Sequence, residues 1–282
     1  MNDIIRIMLI NLCAVMLLQV CGWLFSLARK NVTIADSLWG AGFVIIAWLT
    51  FFQSGGFIGR NILITAAVTL WGLRLFIHIT RRGIGKGEDP RYGEWRKKYG
   101  SRFPLVSLFR VFLIQGLFMW LIALSVQIAQ IAPLPGHFTV FDLAGILVWL
   151  AGITIEASAD YQLSQFIADP ENRGKVMRHK LWKYSRHPNY FGESTIWWGI
   201  FIIACQVEYG ALTVISPLLI TYTLLKLTGV SLMEETIFKD NPEYDEYRRV
   251  TSSFIPWFPK GLNTFNPPCS PRKIIPPGSP TS

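Results

Sequence analysis

Seven long apolar stretches alternate with short polar segments along the 282-residue chain. Each stretch has close to the 20 or so apolar residues that an α-helix needs to cross a bilayer. None alternates with the period of two that is typical of a membrane barrel strand. The pattern therefore predicts an all-α, polytopic membrane bundle of about seven helices. The predicted spans are residues 4–28, 34–53, 61–80, 108–132, 139–165, 190–207 and 209–229.

The first window raises the question of a cleaved signal peptide, and the last two windows are closely connected. Residues 4–28 exceed the h-region of about 7–15 residues in a signal peptide, and another apolar window follows at once, so we expect a retained span. Only a short turn around Glu208 and Tyr209 separates the last two windows. We therefore expect these two helices to form a hairpin.

Positive charge is concentrated on one side of the predicted bundle. Of the 27 Lys and Arg residues, 22 fall at the ends or in the connections that follow spans one, three, five and seven. Basic loops stay in the cytoplasm by the positive-inside rule. We therefore expect the N-terminus outside and the C-terminus inside. The proline-rich residues 261–282 have the composition of a disordered tail.

Composition agrees with a membrane protein and excludes other classes. The chain is 51% hydrophobic and only 16% charged, whereas soluble domains are about 25% charged. The loops account for the net charge of +9, so we do not expect nucleic-acid binding. Cys13, Cys21, Cys205 and Cys269 lack metal-site spacing, so we expect neither disulfides nor a metal. No pattern specifies an oligomeric state.

Two acidic residues lie near the inner end of the fifth span. Glu156 and Asp160 are four residues apart and therefore share one helix face. Ionisable groups within membrane spans are costly, which makes them candidates for a functional site. The alternative is that they pair with the basic loop of residues 173–186.

The start of the sixth span carries the most informative polar motif. Pro188 suits the first turn of a helix, and Asn189 and Glu193 then share one face about a turn deep. An amide and a carboxylate so placed can hydrogen-bond a planar polar group such as a carboxamide. Gly192 would let another backbone or a ligand approach closely.

Cations and aromatic residues flank this motif. Arg186 and His187 stand at the expected water interface and suit a phosphate, or they are snorkelling cations at a helix start. Tyr244, Tyr247 and Arg248 share a helical face that could hold a nucleotide base. That face could equally belong to an interfacial helix with an aromatic belt.

These motifs resemble those of the steroid 5-alpha-reductase superfamily, and in particular its bacterial branch formerly classed as a domain of unknown function (DUF1295-like). The resemblance rests on RHPNYFGE at 186–193, on Glu234-Glu235, and on the closing YxxYRR and FIPW motifs between 244 and 257. It extends over about residues 30–258, through further motifs at 35–40, 70–75 and 88–92.

The resemblance implies an NADPH-dependent reductase of a conjugated carbon–carbon double bond in a lipidic substrate. Within a helical domain of residues 1–260, it implies a substrate side at 1–132 and a cofactor side at 139–258. The residues that the motifs and the resemblance together assign to the cofactor are Arg74, Glu156, Asp160, Tyr161, Lys175, Arg178, Tyr184, Arg186, His187, Asn189, Tyr190, Glu193, Glu234, Tyr244, Tyr247 and Arg248.

The chain departs from the family on the substrate side. Steroid reductases grip the substrate carbonyl with a Glu and a Tyr from early spans, whereas this chain has no tyrosine between residues 1 and 91. Asp36 and His78 are the nearby residues that could take this catalytic role. A steroid, another lipidic enone and an isoprenoid therefore all remain open as substrates.

Two other functions compete with the reductase. Isoprenylcysteine and phospholipid methyltransferases, which use S-adenosylmethionine, carry a similar RHPxYxG segment followed by Glu-Glu. Asn189 and Glu193 favour the reductase over these enzymes. A non-enzymatic transporter or scaffold is the third reading, but we find no internal repeat of the kind that transporters often contain.

Overall fold

The computed structural model describes residues 2–227 and 242–260. Every regular element in these two ranges is helical, which confirms the all-α prediction. Glu234 and the predicted tail at 261–282 lie outside the described residues. The helices are α1 Asn2–Arg29, α2 Ile34–Gln53, α3 Ile58–Gly83, α4 Pro90–Tyr99, α5 Phe103–Ser107, α6 Ile114–Ile122, α7 Leu124–Ile131, α8 Val140–Ala168, α9 Pro188–Ala204, α10 Ile215–Tyr222 and α11 Pro242–Val250.

Six helical segments are long and apolar enough to cross a membrane, and this confirms the prediction of an integral membrane protein. Helices satisfy their backbone polar groups internally, which is why they can reside in lipid. The predicted window at 190–207 corresponds to α9, whose 17 residues make it shorter than all six. The six segments are Asp3–Arg29, Ile34–Gln53, Ile58–Gly83, Pro90–Ile122, Val140–Ala168 and Gly210–Leu227.

The predicted window at 108–132 is not one regular helix. It begins with a π-helical turn at Leu108–Leu113, continues as α6, and is interrupted at Ala123, where ψ is 3°. A single π turn inside a helix is often found at a functional site. The apolar pattern alone gives no sign of either irregularity, because it carries no information on local backbone geometry.

The predicted hairpin between the last two windows is confirmed. Tyr209 has a φ of 61°, and this left-handed turn leads from α9 towards α10. At the other ends of these helices, the hydroxyl oxygens of Ser194 and Thr221 are 2.7 Å apart. The two helices therefore run side by side in opposite directions.

Glycines bring α8 and α9 into backbone contact. A Cβ atom added at Gly192 would lie 2.6 Å from the backbone nitrogen of Glu156, and one at Gly152 would lie 2.7 Å from that of Ile196. Small residues at helix crossings allow this close approach in membranes. The predicted role of Gly192 is thereby confirmed.

An aromatic cluster forms the centre of the core. Phe43 of α2, Trp71 of α3 and Trp197 of α9 are fully buried. Their ring centroids are 4.6 to 5.4 Å apart, which is the range of favourable aromatic pairs. This cluster packs α2 and α3 against α9, and Trp71 also contacts the polar groups described next.

Candidate functional site

Three acidic side chains are buried together where α8 meets α9. Glu156 and Asp160 lie on α8 and Glu193 lies on α9, and they are 2%, 6% and 6% exposed. Burying a carboxylate is costly unless it is paired and hydrogen-bonded. We call these three residues the carboxylate cluster.

Arg74 of α3 supplies the main positive charge of the cluster. Its guanidinium donates to Glu156 and, over 2.9 Å, to Oδ2 of Asp160. His78, one turn further along α3, has its Nε2 3.8 Å from the same Asp160 oxygen. Glu156 and Asp160 thus pair with α3 in the described part of the chain, and not with the basic loop at 173–186.

Asn189 links the two helices and keeps one unused acceptor. Its Nδ2 donates to Oδ1 of Asp160 over 3.1 Å. Its Oδ1 is buried and accepts no hydrogen bond from any described residue. An unpaired acceptor in a buried position calls for an explanation, and it could accept a hydrogen bond from the N–H of a ligand.

Two tryptophans complete the cluster and were missed by the sequence reasoning. Trp71 donates from Nε1 to Oε2 of Glu156 over 3.0 Å, and Trp39 donates to Oε1 of Glu193 over 3.2 Å. Both lie in the quoted motifs at 35–40 and 70–75. The signal was present: Trp71 precedes Arg74 by three residues, so the two share a helix face.

The cluster has more acid than base among the described residues. Three carboxyl groups face Arg74 and His78, so the site favours a ligand that donates hydrogen bonds or carries positive charge. Amide N–H groups and hydroxyls are such donors. The described ranges contain no group of three or more His, Cys, Asp or Glu side chains that could hold a metal ion.

Asp36 belongs to a neighbouring polar group at the start of α2. Its Oδ1 accepts from the hydroxyl of Tyr92 over 2.9 Å, and its Oδ2 lies 3.2 Å from Nη2 of Arg91. Asp36 precedes Trp39 by three residues, so this group lies one turn from the Trp39–Glu193 contact.

The loop before α4 is fastened to the start of α2. Glu88 accepts from the backbone N–H of Val32 and from Arg96, while the backbone N–H of Asp89 donates to Thr33. Partial burial alone would raise the pKa of Glu88, but these hydrogen bonds and the charge of Arg96 lower it below its ordinary value. Glu88 is therefore held in its ionised form.

The predicted nucleotide face on α11 packs against the segment before α9. The Tyr247 hydroxyl donates to the Trp182 carbonyl oxygen, and Nη1 of Arg186 donates to the Arg248 carbonyl oxygen over 2.9 Å. Nη2 of Arg178 lies 3.4 Å from Glu243. α11 therefore packs against this segment and does not join the carboxylate cluster.

The remaining predicted residues fall into two groups. His187 is buried and stacks on Tyr190, with centroids 5.4 Å apart and an interplanar angle of 3°, and Tyr244 is buried beside Val176. Three others do not join the carboxylate cluster: Tyr161 is 65% exposed, Lys175 is exposed, and Tyr184 packs on Phe258.

These features define an α-helical integral membrane protein with a polar, carboxylate-rich site at one end of its bundle. The chain belongs to the family described as protein of unknown function (DUF1295), whose model matches residues 22–251. No curated protein and no solved structure matches the chain.

Proposed function

We propose that this protein is an NADPH-dependent membrane oxidoreductase that reduces a conjugated carbon–carbon double bond of a lipidic substrate, as a member of the steroid 5-alpha-reductase superfamily. The observation that carries the proposal is the convergence of Asp160, Glu193 and the unpaired Asn189 oxygen between α8 and α9. These groups are hydrogen-bond acceptors for amide and hydroxyl donors, which the nicotinamide riboside end of the cofactor provides.

The residues present fit this cofactor. Oδ1 of Asn189 would accept from the carboxamide NH2, and Asp160 and Glu193 would accept from the carboxamide or the ribose hydroxyls. The carboxylate-rich site would repel phosphates, so these belong at the basic segment, where Lys175 is exposed and Arg186 lies next to the start of α9. The bound cofactor would supply the hydride.

Asp36 and Tyr92 are the residues that we propose for the substrate. The resemblance implies an acid and a phenol that together grip a carbonyl, and the hydrogen bond between these two side chains forms such a pair. Tyr92 is the first tyrosine of the chain. On substrate binding, the Tyr92 hydroxyl would turn its single hydrogen from Asp36 to the carbonyl oxygen, where it would stabilise the negative charge that develops during reduction.

The proposal includes a topology. α9 would be a seventh span, because its 17 residues extend over about 25 Å and it packs on α8 through glycines at both 145/199 and 152/192. The N-terminus would lie outside and the basic loops inside, in a bacterial inner membrane. The carboxylate cluster would then open towards the cytoplasm, where NADPH is found, and an apolar substrate would enter from lipid.

Ligand-induced stabilisation tests the proposal. A ligand that binds the folded state raises its thermal midpoint, so NADPH should stabilise the detergent-solubilised protein more than NADH or S-adenosylmethionine does. Glu193→Gln should reduce the NADPH shift, whereas Glu171→Gln, the same change at an exposed site, should not. Stabilisation by S-adenosylmethionine alone would overturn the reductase in favour of a methyltransferase. No stabilisation by NADPH, NADH or S-adenosylmethionine would favour a transporter or scaffold.

A further inference from the structure

Helix α4 presents one polar face to the surroundings. Its inner face contributes Tyr92, Trp95 and Tyr99 to an apolar cluster with Phe103, whereas Lys97 and Lys98 are exposed. Amphipathic helices of this kind lie along a membrane surface with cations on the polar side. α4 is therefore a candidate for contact with lipid headgroups.

Arg96, like Arg91, is a cation of α4 that already has a carboxylate partner, and it anchors the helix. Arg96 makes two hydrogen bonds to Glu88, at 2.7 and 2.8 Å, and its guanidinium lies 4.4 Å from the centroid of the Phe103 ring. No such carboxylate partner exists for Lys98 among the described residues. Arg96 therefore stabilises the position of α4, whereas Lys98 remains available for a ligand.

Lys98 and a second cation meet at one aromatic ring. The Lys98 ammonium is 5.6 Å from the Tyr99 ring centroid, and the Arg110 guanidinium is 5.8 Å from it. Arg110 also donates to the Tyr99 hydroxyl over 3.0 Å. Gly100, with a φ of 50°, turns the chain between α4 and α5, so that Tyr99 reaches Arg110. Two cations around one ring repel each other, and an anion beside the ring would offset this repulsion.

Arg110 has no carboxylate within ion-pair distance in the described ranges, although it lies in the π-helical turn of a membrane-spanning segment. It is exposed, and so are its apolar neighbours Phe109 and Leu105, which are 59% and 60% exposed. A guanidinium on a lipid-facing surface is costly unless it reaches a polar group at the interface. Phosphate is the anion found at that depth, and guanidinium binds it well.

We propose that Arg110 and Lys98, arranged around Tyr99, form a binding site for the phosphate of an anionic phospholipid in the leaflet at this end of the bundle. Leu105 and Phe109 would contact its acyl chains, which a free phosphate ion lacks. A zwitterionic lipid fits less well, because its own cation would face two protein cations. The site lies apart from the carboxylate cluster and does not depend on the proposed reductase function.

Native mass spectrometry of the detergent-purified full chain tests this site. With phosphatidylglycerol or phosphatidylcholine added, bound phosphatidylglycerol should predominate. Arg110→Gln and Lys98→Gln should each lower its apparent affinity by about fivefold, the usual contribution of one cation at an anionic membrane surface. Lys86 is an exposed cation in the loop before α4 and makes no cation–aromatic contact within the described residues, so Lys86→Gln should leave binding unchanged.

Two further arms secure the interpretation. Arg110→Lys keeps the charge and should bind more lipid than Arg110→Gln. Because Lys98 is exposed, Lys98→Gln should fold, and it tests the site even if Arg110→Gln does not fold. Inorganic phosphate at millimolar concentration should not displace the lipid. Undiminished phosphatidylglycerol binding by both Gln variants, equal binding of phosphatidylcholine, or displacement by inorganic phosphate would each overturn the proposal.

Discussion

Asn189 of α9 donates a hydrogen bond to Asp160 of α8 over 3.1 Å, and its own carbonyl oxygen accepts none from the described residues. The donor group is thus used to hold the helices together while the acceptor group remains available. A side-chain amide can serve both purposes at once because its two polar atoms point in different directions. This division of roles makes Asn189 a sensitive point of the site.

Asn189→Asp should destabilise the protein by about 1–3 kcal/mol, because the new carboxylate would face the buried Asp160 without a donor between them. Asn172→Asp is the matched control: Asn172 also donates to an aspartate, Asp169, over 3.3 Å, but at an exposed site where water screens the charges. Its effect should stay below about 1 kcal/mol. Denaturant titration in detergent measures both, and equal losses would argue against a buried Asn189–Asp160 contact.

Removal of the Arg74 charge should have a larger effect. Arg74→Met would leave Glu156 and Asp160 buried without their cation, which typically costs about 3–5 kcal/mol. Adding Glu156→Gln should recover part of this loss, since it removes one of the stranded charges. Arg6→Met breaks an exposed ion pair with Asp3 and should cost less than about 1 kcal/mol. A double variant no more stable than Arg74→Met would contradict the assigned pairing.

Gly192→Ala tests the backbone contact between α8 and α9. The added methyl group would meet the Glu156 backbone nitrogen, so the helices must separate, at a cost of about 1–3 kcal/mol. Gly93→Ala on α4 adds the same methyl group where no atom lies within 4 Å, and should be neutral or stabilising by up to about 1 kcal/mol. Thermal midpoints of the two variants compare them directly. The NADPH-induced shift of Gly192→Ala should also fall, because Glu156 would move.

The link between Glu88 and α2 should depend on pH. Because the pKa of Glu88 is lowered in the folded protein, the stability that it contributes is fully present above the ordinary glutamate pKa of about 4.3. That contribution is lost as the pH falls through the lowered value. The wild type should therefore exceed Glu88→Gln by about 1 kcal/mol at neutral pH, with a difference that shrinks below about pH 4.

Measurement of both proteins by denaturant titration from pH 7 downwards checks this expectation. Glu94→Gln controls for the loss of one acidic charge, since Glu94 is exposed on α4 and has no ion-pair partner in the described residues. A wild-type advantage that persists unchanged at pH 3 would show that ionisation of Glu88 is not its source.

Much of the fold follows from the sequence because lipid imposes a simple rule. An apolar run of about 20 residues must be a helix, so the limits of α2 were predicted to the residue and those of α3 and α8 to within three. The break at Ala123 escaped prediction, because an apolar pattern carries no information on local backbone irregularity. The same limit concealed the π turn that carries Arg110.

The candidate site was predictable only in part. Helical spacing placed Glu156 with Asp160 and Asn189 with Glu193, because these pairs lie within one helix. The resemblance assigned Arg74 to the cofactor but did not predict that it pairs with Glu156 and Asp160. The contact of Trp39 with Glu193, across 154 positions, was not predicted either. Such contacts depend on how helices cross, which a single sequence does not specify. The contact of Tyr92 with Asp36 was not predicted either, because it joins α4 to α2 across 56 positions.

The glycine contact between α8 and α9 has a consequence for molecular recognition. Since the two main chains touch at Gly152 and Gly192, the gap between the acceptors on one helix and those on the other is set by rigid backbone and not by adaptable side chains. A ligand would meet hydrogen-bond partners that are already aligned, because the entropic cost of aligning them belongs to folding and not to binding. Selectivity would then reside in the fixed width of that gap, which a single added methyl group could widen.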